Sequence, residues 1–314
     1  MKALVLGGAG FIGSHLIDRL LENHNQVICV DNLHLGTPEN LKEAKKHEDF
    51  IFIEGDILDT AFINNLFNTF RFDIIYHLAA NSDIRAGAAD TSLDLDLNFN
   101  STKIILDLMV KHNIDKIFFT STSAIFGEMN TPIKEDSPIN PESLYGASKL
   151  AAEGYIKTYC SIYDIKSWIV RLPNVIGDRS THGVIHDLIR KLDNDKENLE
   201  VLGDGNQSKP YLYVKDLVEC FLYIMEHTQD NINVFNIGCE DNVSVSTIAE
   251  LILKYSNEKR KIIYTGGRSG WKGDVPKYEL DYTKLKQIGW RENKTLESIH
   301  KTLQEIYNAK NFIY

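Results

Sequence analysis

Residues 2–22 constrain the fold more than any other stretch of this 314-residue chain. Lys2–Leu6 is a short apolar run with the length of a buried strand. Gly7-Gly-Ala-Gly10-Phe11-Ile12-Gly13 follows at once, and Ser14–Glu22 has the apolar spacing of a helix. Glycines placed this way let the chain turn tightly and bring backbone N–H groups against a pyrophosphate at a helix N-terminus. A glycine triplet alone is weak evidence, and this spacing differs from the commoner dehydrogenase fingerprint. Strand, glycines and helix in immediate succession are a stronger signal. Gly7, Gly10, Phe11, Ile12 and Gly13 are therefore candidate cofactor contacts.

Further strands alternate with helices along the chain. Gln26–Val30 is a second strand, ending at Asp31; Phe50–Glu54 is a third and Asp73–Leu78 a fourth. Ser82–Asn98 reads as a polar, acidic connection before a helix at Asn100–His112. Lys116–Thr120 and Lys166–Arg171 complete six strands. This order predicts an α/β fold, a doubly wound parallel sheet of Rossmann type. Ligands of such sheets lie beyond the carboxyl ends of the strands. Gly7–Gly13, Asp31, Asp56-Ile57, Leu78-Ala79-Ala80, Thr122 and Pro173-Asn174 all fall there. Asp31 would accept hydrogen bonds from the adenosine ribose and repel a 2′-phosphate, which favours NAD over NADP. Asp56-Ile57 is a candidate adenine contact, and the small residues after His77 leave space for the cofactor. His77 itself reads as a packed histidine.

Past Arg171 the pattern loosens into a helix at Val184–Leu192, a turn at Asp204-Gly205, a short strand at Tyr211–Val214 and a helix at Asp216–His227. Val234–Ile237 is a buried strand expected to return to the first domain. Ser246–Tyr255 and Thr295–Tyr307 read as helices, with Lys261–Tyr264 a strand between them. The expected division is an NAD-binding domain over 1–172, rejoined by 214–240, and a smaller C-terminal α/β substrate domain over 173–213 and 241–314.

Composition removes several function classes. A net charge of −10, from 34 basic and 44 acidic residues, argues against nucleic-acid or anionic-membrane binding. No apolar run approaches a membrane span. Met1 leads directly into the strand and glycine loop, which leaves no room for a signal peptide. The 4 cysteines have no paired spacing, so neither a disulfide framework nor a metal site is expected, and the location expected is cytoplasmic.

The chemistry is concentrated between Phe118 and Leu150. A buried strand delivers Ser121, Thr122 and Ser123 to its carboxyl end, and Tyr145 and Lys149 share one face at the start of a helix. A phenol beside a fixed ammonium, with a hydroxyl nearby, can move a proton on and off an alcohol oxygen. A free phenol has a pKa of about 10, so acting as a base near neutrality requires a drop of roughly 3 units, on the order of 4 kcal/mol. One positive charge about 5 Å away contributes roughly 3 kcal/mol at an effective dielectric of 20. Lys149 and the positive ring of an oxidised nicotinamide together would supply the shift. Tyr-x-x-x-Lys alone is an ordinary feature of amphipathic helices; its neighbours give it weight.

With these residues in view the whole chain resembles the extended short-chain dehydrogenase/reductases, the NAD-dependent nucleotide-sugar epimerase/dehydratase family. The resemblance is carried by Gly7–Gly13, Asp31-Asn32-Leu33, Gly55-Asp56, His77–Ala80, Asn98, Ser121–Gly127, Tyr145–Lys149, Arg171–Gly177, Gly203–Asp216 and Gly273-Asp274-Val275-Pro276. It implies that NAD stays bound by the glycine loop, Asp31, Asn32, Asp56, Ile57, Leu78, Ala79, Ala80, Asn98 and Pro173. It also implies that Tyr145 removes the sugar hydroxyl proton, Lys149 binds the nicotinamide ribose and Thr122 hydrogen-bonds the reacting oxygen. Ser123, Asn174, Lys209 and Arg268 would meet the nucleotide-diphosphate sugar. The family's Gln-x-Arg-Asp segment stands here as Gln207-Ser208-Lys209-Pro210, and a lysine lacks the fork of arginine.

Members that dehydrate the sugar carry Asp-Glu after this threonine, and decarboxylating members a glutamate where Ala124 stands; this chain has Ser123-Ala124. Reversible oxidation of a ring alcohol, most simply at C4, remains. The reading is a 4-epimerase; the alternatives are a C4 dehydrogenase or keto-reductase with net redox change, and a non-catalytic NAD-binding scaffold. Asn100–His112 and Ser148–Tyr163 resemble the helix pair of the family's four-helix interface, which implies a homodimer.

Overall fold

A computed structural model describes residues 1–268, 270, 277–291 and 294–311. The Gly273-Asp274-Val275-Pro276 segment of the resemblance lies outside the described residues. In chain order the first elements are β1 (Lys2–Leu6), α1 (Phe11–Glu22), β2 (Gln26–Asp31), β3 (Phe50–Glu54), α2 (Thr60–Thr69) and β4 (Ile74–His77). Next come α3 (Ile84–Ala89), α4 (Thr91–Asp94), a π-helical turn at Leu95–Asn100, α5 (Ser101–His112), β5 (Lys116–Thr122), α6 (Leu144–Tyr163) and β6 (Lys166–Leu172). There follow β7 (Asn174–Ile176), α7 (Val184–Asn194), β8 (Asn198–Val201), β9 (Ser208–Lys209), β10 (Tyr211–Tyr213), α8 (Val214–His227) and β11 (Ile232–Asn236). The chain closes with β12 (Val243–Ser244), α9 (Val245–Ser256), β13 (Lys261–Tyr264), α10 (Thr283–Gln287) and α11 (Thr295–Asn311).

The chain divides into two compact units: Met1–Gly127 with Pro138–Arg171 and Phe221–Phe235, and Glu128–Ser137 with Leu172–Cys220 and Asn236–Tyr314. The sequence boundaries had kept 128–137 with the first.

The first unit is organised by one seven-stranded sheet in the order β11-β6-β5-β4-β1-β2-β3. β1 pairs in parallel with both β2 and β4, β2 with β3, and β4 with β5. The strand order therefore reverses between β1 and β4, the switch point beside which doubly wound sheets bind ligands. Strands covered on both faces read as unbroken apolar runs, and in β1 Ala3, Leu4, Val5 and Leu6 are all fully buried. One face packs Leu4, Leu6, Ile28 and Val30 against Ile105, Met109, Ala152 and Ile156 of α5 and α6. β11 joins the sheet edge, as the apolar run at 234–237 anticipated.

The connection at 82–98 is helical, contrary to the sequence reading. Its aspartates start helices: Asp83 accepts from the N–H groups of Arg85 and Ala86, and Asp90 from that of Ser92. Acidic side chains at this spacing satisfy the first amides of a helix and stabilise its positive end. α2, which the sequence reading passed over, starts the same way on Asp59.

Among its described residues the second unit pairs β10 with β7, β12 with β9 and β13 with β8, around a separate core of Ile185, Leu188, Leu199, Ile248, Ile252, Ile299 and Leu303. Among the described residues no helix is long and apolar enough to cross a membrane.

Candidate active site

β1 ends at Leu6, and Gly7 adopts a φ of +79°. A Cβ there would lie 2.6 Å from the amide nitrogen of Ala79, so only glycine lets the end of β1 close against Leu78–Ala80 at the end of β4. The chain then enters α1 at Gly10, whose N-terminus no side chain caps. Phe11, Ile12 and Gly13 form the first turn of that helix, whose amides and dipole suit an anion. Asp31 closes the same corner. Its Oδ2 accepts from the amide of Ala9 at 2.9 Å and its Oδ1 from that of Leu33 at 2.8 Å. Burial pushes the Asp31 carboxyl up, against the pull of those amides and that of Gly10. Each carboxylate oxygen retains acceptor capacity for a ribose hydroxyl.

Asp56 accepts from the Leu58 amide at 2.8 Å and from Asn32 Nδ2 at 3.1 Å, which ties the ends of β2 and β3 together. Ile57 is 5 % exposed and belongs to the apolar core, so little of it is presented outward. These groups are a donor and acceptor set that fits a dinucleotide: an uncapped helix start, a strand-end carboxylate, and small residues at Ala79 and Ala80.

At the next strand end, Thr122 is the last residue of β5 and Ser123 opens a short turn in which Thr122 Oγ1 accepts from the Ala124 amide at 3.1 Å. α6 starts on Ser143, whose hydroxyl accepts from Gly146 N–H at 3.0 Å, and this cap places Tyr145 and Lys149 on the first turns. A Cβ on Gly146 would lie 2.4 Å from the Ala124 carbonyl oxygen; its absence lets the helix start approach the strand end. The Thr122 hydroxyl acts on the Tyr145 phenol from the strand end, favouring its ionised form. Lys149 is 2 % exposed, donates to the Thr120 carbonyl at 2.9 Å and stands 4.5 Å from the centre of the Phe119 ring.

The electrostatics correct the sequence argument. Burial pushes the Tyr145 phenol up, Thr122 pulls it down and Asp94 pushes it up again, so it stands above its ordinary range. Burial also lowers Lys149 to about 7, with Glu153 and then Asp94 opposing that fall. An ammonium that is itself half-titrated near neutrality cannot deliver the full attraction assigned to it. His77, fully buried, is driven down to about 3 by burial and by Lys149, and its Nε2 lies 3.0 Å from Thr102 Oγ1. It is a packed histidine, as expected, with the Thr102 side chain for a partner.

Asn98 sits on the π-helical turn and joins this centre through side chains. Its Nδ2 donates to Ser148 Oγ at 3.0 Å and to Asp94 Oδ1 at 3.1 Å, while its Oδ1 accepts from the Asn81 amide at 2.9 Å. Asn81 Nδ2 also donates to Asp94 Oδ1, at 2.8 Å. Asn81, Asp94 and Ser148 were not singled out from the sequence, because a polar run offers no periodic signal for burial. Glu153 was also missed, although it follows Lys149 by one turn.

Four expected residues lie in the second unit. Pro173 is buried, and Asn174 donates its amide to Tyr278 Oη at 3.1 Å. Lys209 pairs with Val243 between β9 and β12. Arg268 is solvent-exposed and lies 3.3 Å from Glu128 Oε1. Among the described residues no cluster could hold a metal ion.

Comparison with known proteins points the same way as this geometry. The NAD dependent epimerase/dehydratase family matches residues 3–238. A putative UDP-glucose 4-epimerase of Methanocaldococcus jannaschii is 35% identical over 294 residues, 92% of each chain. Among solved structures, UDP-glucose 4-epimerase of Thermotoga maritima with UDP-glucose superposes with a TM-score of 0.88 at 33% identity, covering 99% of this chain and 100% of that one. UDP-glucuronic acid 4-epimerase of Bacillus cereus, in complex with UDP-glucuronic acid and NAD, gives 0.86 at 28% identity with 100% of both chains covered. Dehydratases and a decarboxylase are also among the relatives. A switch-point glycine turn, a strand-end aspartate and a Tyr–Lys helix face with its lysine buried thus coincide with a match over most of the chain: it belongs to the NAD-dependent epimerase/dehydratase family of enzymes, with the extended short-chain dehydrogenase/reductase fold.

Proposed function

We propose that this protein is a nucleotide-sugar 4-epimerase that keeps its NAD and interconverts the C4 epimers of a nucleoside-diphosphate sugar. The observation that carries this reading is the joining of Thr122, Tyr145 and Lys149 at the ends of β5 and α6, with no carboxylate in the Ser123–Ile125 turn. Elimination of water would need an acid and a base there.

In this mechanism NAD, when bound, supplies the acceptor for the hydrogen that leaves C4 with its electron pair, and returns it. Gly7, Gly10, Phe11, Ile12 and Gly13 would hold its diphosphate, with Asp31 and Asn32 at the ribose, Asp56 and Ile57 at the adenine, and Leu78, Ala79, Ala80, Asn98 and Pro173 along its length. Tyr145 takes the proton of the C4 hydroxyl and gives it back to the same oxygen once the 4-keto sugar has turned its other face to the site. Thr122 holds the reacting oxygen beside the phenol. Lys149, fixed by the Thr120 carbonyl, presents its charge to the ribose and to Tyr145. Ser123, Asn174, Lys209 and Arg268 would contact the substrate, of which UDP-glucose and UDP-galactose are the first pair to assay, given the UDP sugars of the relatives.

Two finer features belong to the same proposal. The exposed apolar residues Leu95, Tyr155, Ile162 and Tyr163, on the π-helical turn and α6, support a homodimer. Four free, buried thiols fit a reducing compartment, the cytoplasm, where the enzyme would serve carbohydrate biosynthesis.

The reading is tested by incubating purified protein with each UDP sugar, adding no cofactor, and following anomeric protons by NMR. Interconversion from both directions without rising absorbance of reduced nicotinamide supports it. A keto sugar that accumulates, or reduced cofactor formed in step with substrate loss, would mark a dehydrogenase instead.

A further inference from the structure

Glu153 is fully buried on α6, one turn beyond Lys149. Its carboxylate is the meeting point of three elements. Arg171 of β6, 1 % exposed, donates Nε to Oε1 at 3.0 Å and Nη2 to Oε2 at 2.8 Å. Ser121 of β5 donates its hydroxyl to Oε1 at 2.6 Å, and Lys157 of α6 donates to Oε2 at 3.2 Å. The guanidinium also stands 5.1 Å from the centre of the Phe126 ring. Burial alone would raise Glu153; the Arg171 fork, aided by Lys157 and Ser121, holds it below the usual carboxylate range.

A fork of two parallel hydrogen bonds is directional, so it fixes both the height and the rotation of α6 against β6. Ser121 immediately precedes Thr122, and Glu153 follows Lys149 by one turn. One carboxylate therefore fixes the neighbours of two proposed catalytic groups. Stability alone does not account for a buried ion pair, because apolar side chains of similar volume often stabilise as well or better.

We propose that Glu153 is a positioning residue for the proton relay: with Arg171 and Ser121 it sets the register of α6 against β5 and β6, and its carboxylate favours the ammonium of Lys149 one turn away. This rests on reading Thr122, Tyr145 and Lys149 as that relay. Lys149 is faced by His77 of β4, by Asp94 at the end of α4, by the Thr120 carbonyl and Phe119 ring of β5, and by Tyr145 and Glu153 of its own helix. His77 is neutral, and Asp94 is pushed up by burial against Asn81, Asn98 and Lys149. Glu153, held below its usual range, is the carboxylate more firmly ionised.

The test uses Glu153→Gln and, should that variant not fold, the volume-filling Glu153→Met/Arg171→Met double variant, both as purified holoenzyme. The expected result is a kcat reduced about tenfold or more near pH 8 with KM within about twofold. The alkaline limb of the kcat profile should move down by about one pH unit. A readout without turnover accompanies it. The melting temperature of the parent protein rises as pH passes about 7, where native Lys149 sheds its proton, and in the variants the rise begins about one unit lower. Variants that keep the parent kcat and both pH profiles overturn the proposal, and so does a fall in melting temperature with neither profile moved. If the parent interconverts no nucleotide sugar, the functional reading fails separately, while the melting profile still decides whether Glu153 acts on Lys149.

Discussion

The two compact units reach their order by different means. The first aligns seven strands in one sheet, so the ends of β1, β2, β4 and β5 are set by the sheet itself. Among the described residues the second has two-stranded pairings, and polar side chains do much of the joining. There Thr295 donates its amide to Asp241 Oδ1 at 2.7 Å and accepts the Tyr211 amide at 3.3 Å. Asn236 donates Nδ2 to the Ile133 carbonyl at 2.9 Å and its amide to Glu135 Oε1 at 2.9 Å. The contrast teaches that a site at aligned strand ends inherits its precision from the backbone, whereas one among short strands depends on individual side chains.

If that contrast holds, substitutions at the strand ends of the first unit should reach the chemistry, and those at the polar joints of the second should cost stability alone. The largest effect belongs to Tyr145→Phe, expected to lower kcat by roughly 10³-fold, about 4 kcal/mol, with an unchanged melting temperature. Retained turnover would remove Tyr145 from the mechanism. Gly7→Ala comes next. Its Cβ would strike the backbone of Ala79 at 2.6 Å in a φ that disfavours side chains, so a loss of about 2–3 kcal/mol and of bound NAD is expected in denaturant titration and cofactor assay.

In the second unit, Thr295→Val should cost about 1–3 kcal/mol by removing a buried hydroxyl that accepts from the Tyr211 amide and donates to the Asp241 carbonyl, while kcat per folded molecule stays unchanged. A large fall in kcat there would blur the contrast. Lys149→Met is expected to change the pH dependence of stability. Native Lys149 loses its proton near 7, whereas the unfolded chain holds that proton to about 10.4, so the parent gains up to about 1.4 kcal/mol per pH unit between those values. The variant should lack that rise in calorimetric scans. At the small end, Lys46→Ala breaks an exposed pair with Glu43 at 2.6 Å and should cost a few tenths of a kcal/mol at most, about 0.3–0.5 by denaturant titration.

Legibility followed the same division. The placement of Gly7–Gly13, Asp31 and the Tyr145–Lys149 pair at strand and helix ends could be read from the sequence because each is a local pattern beside an apolar strand. The helices at 84–94 were hidden by their own caps, since Asp83 and Asp90 look like loop residues until their amide partners are seen. Glu153 was hidden differently: a carboxylate four residues after a lysine is an ordinary solvated helix pair, and only the arrival of β6 brings Arg171 to it. Tyr145 shows the limit of pairwise reasoning. The attraction of Lys149 was counted, but the cost of burying both groups was not, and burial dominates.

Oxidation at C4 and return of the same hydrogen are what the whole arrangement is proposed to accomplish. The direct measurement is turnover of a UDP sugar carrying deuterium at C4, with the epimer analysed by NMR and mass spectrometry. Full retention of deuterium at C4 of the epimer, together with slowed turnover, is the expected result. Deuterium lost to water, or an epimer formed without any isotope effect and with its label elsewhere, would contradict it.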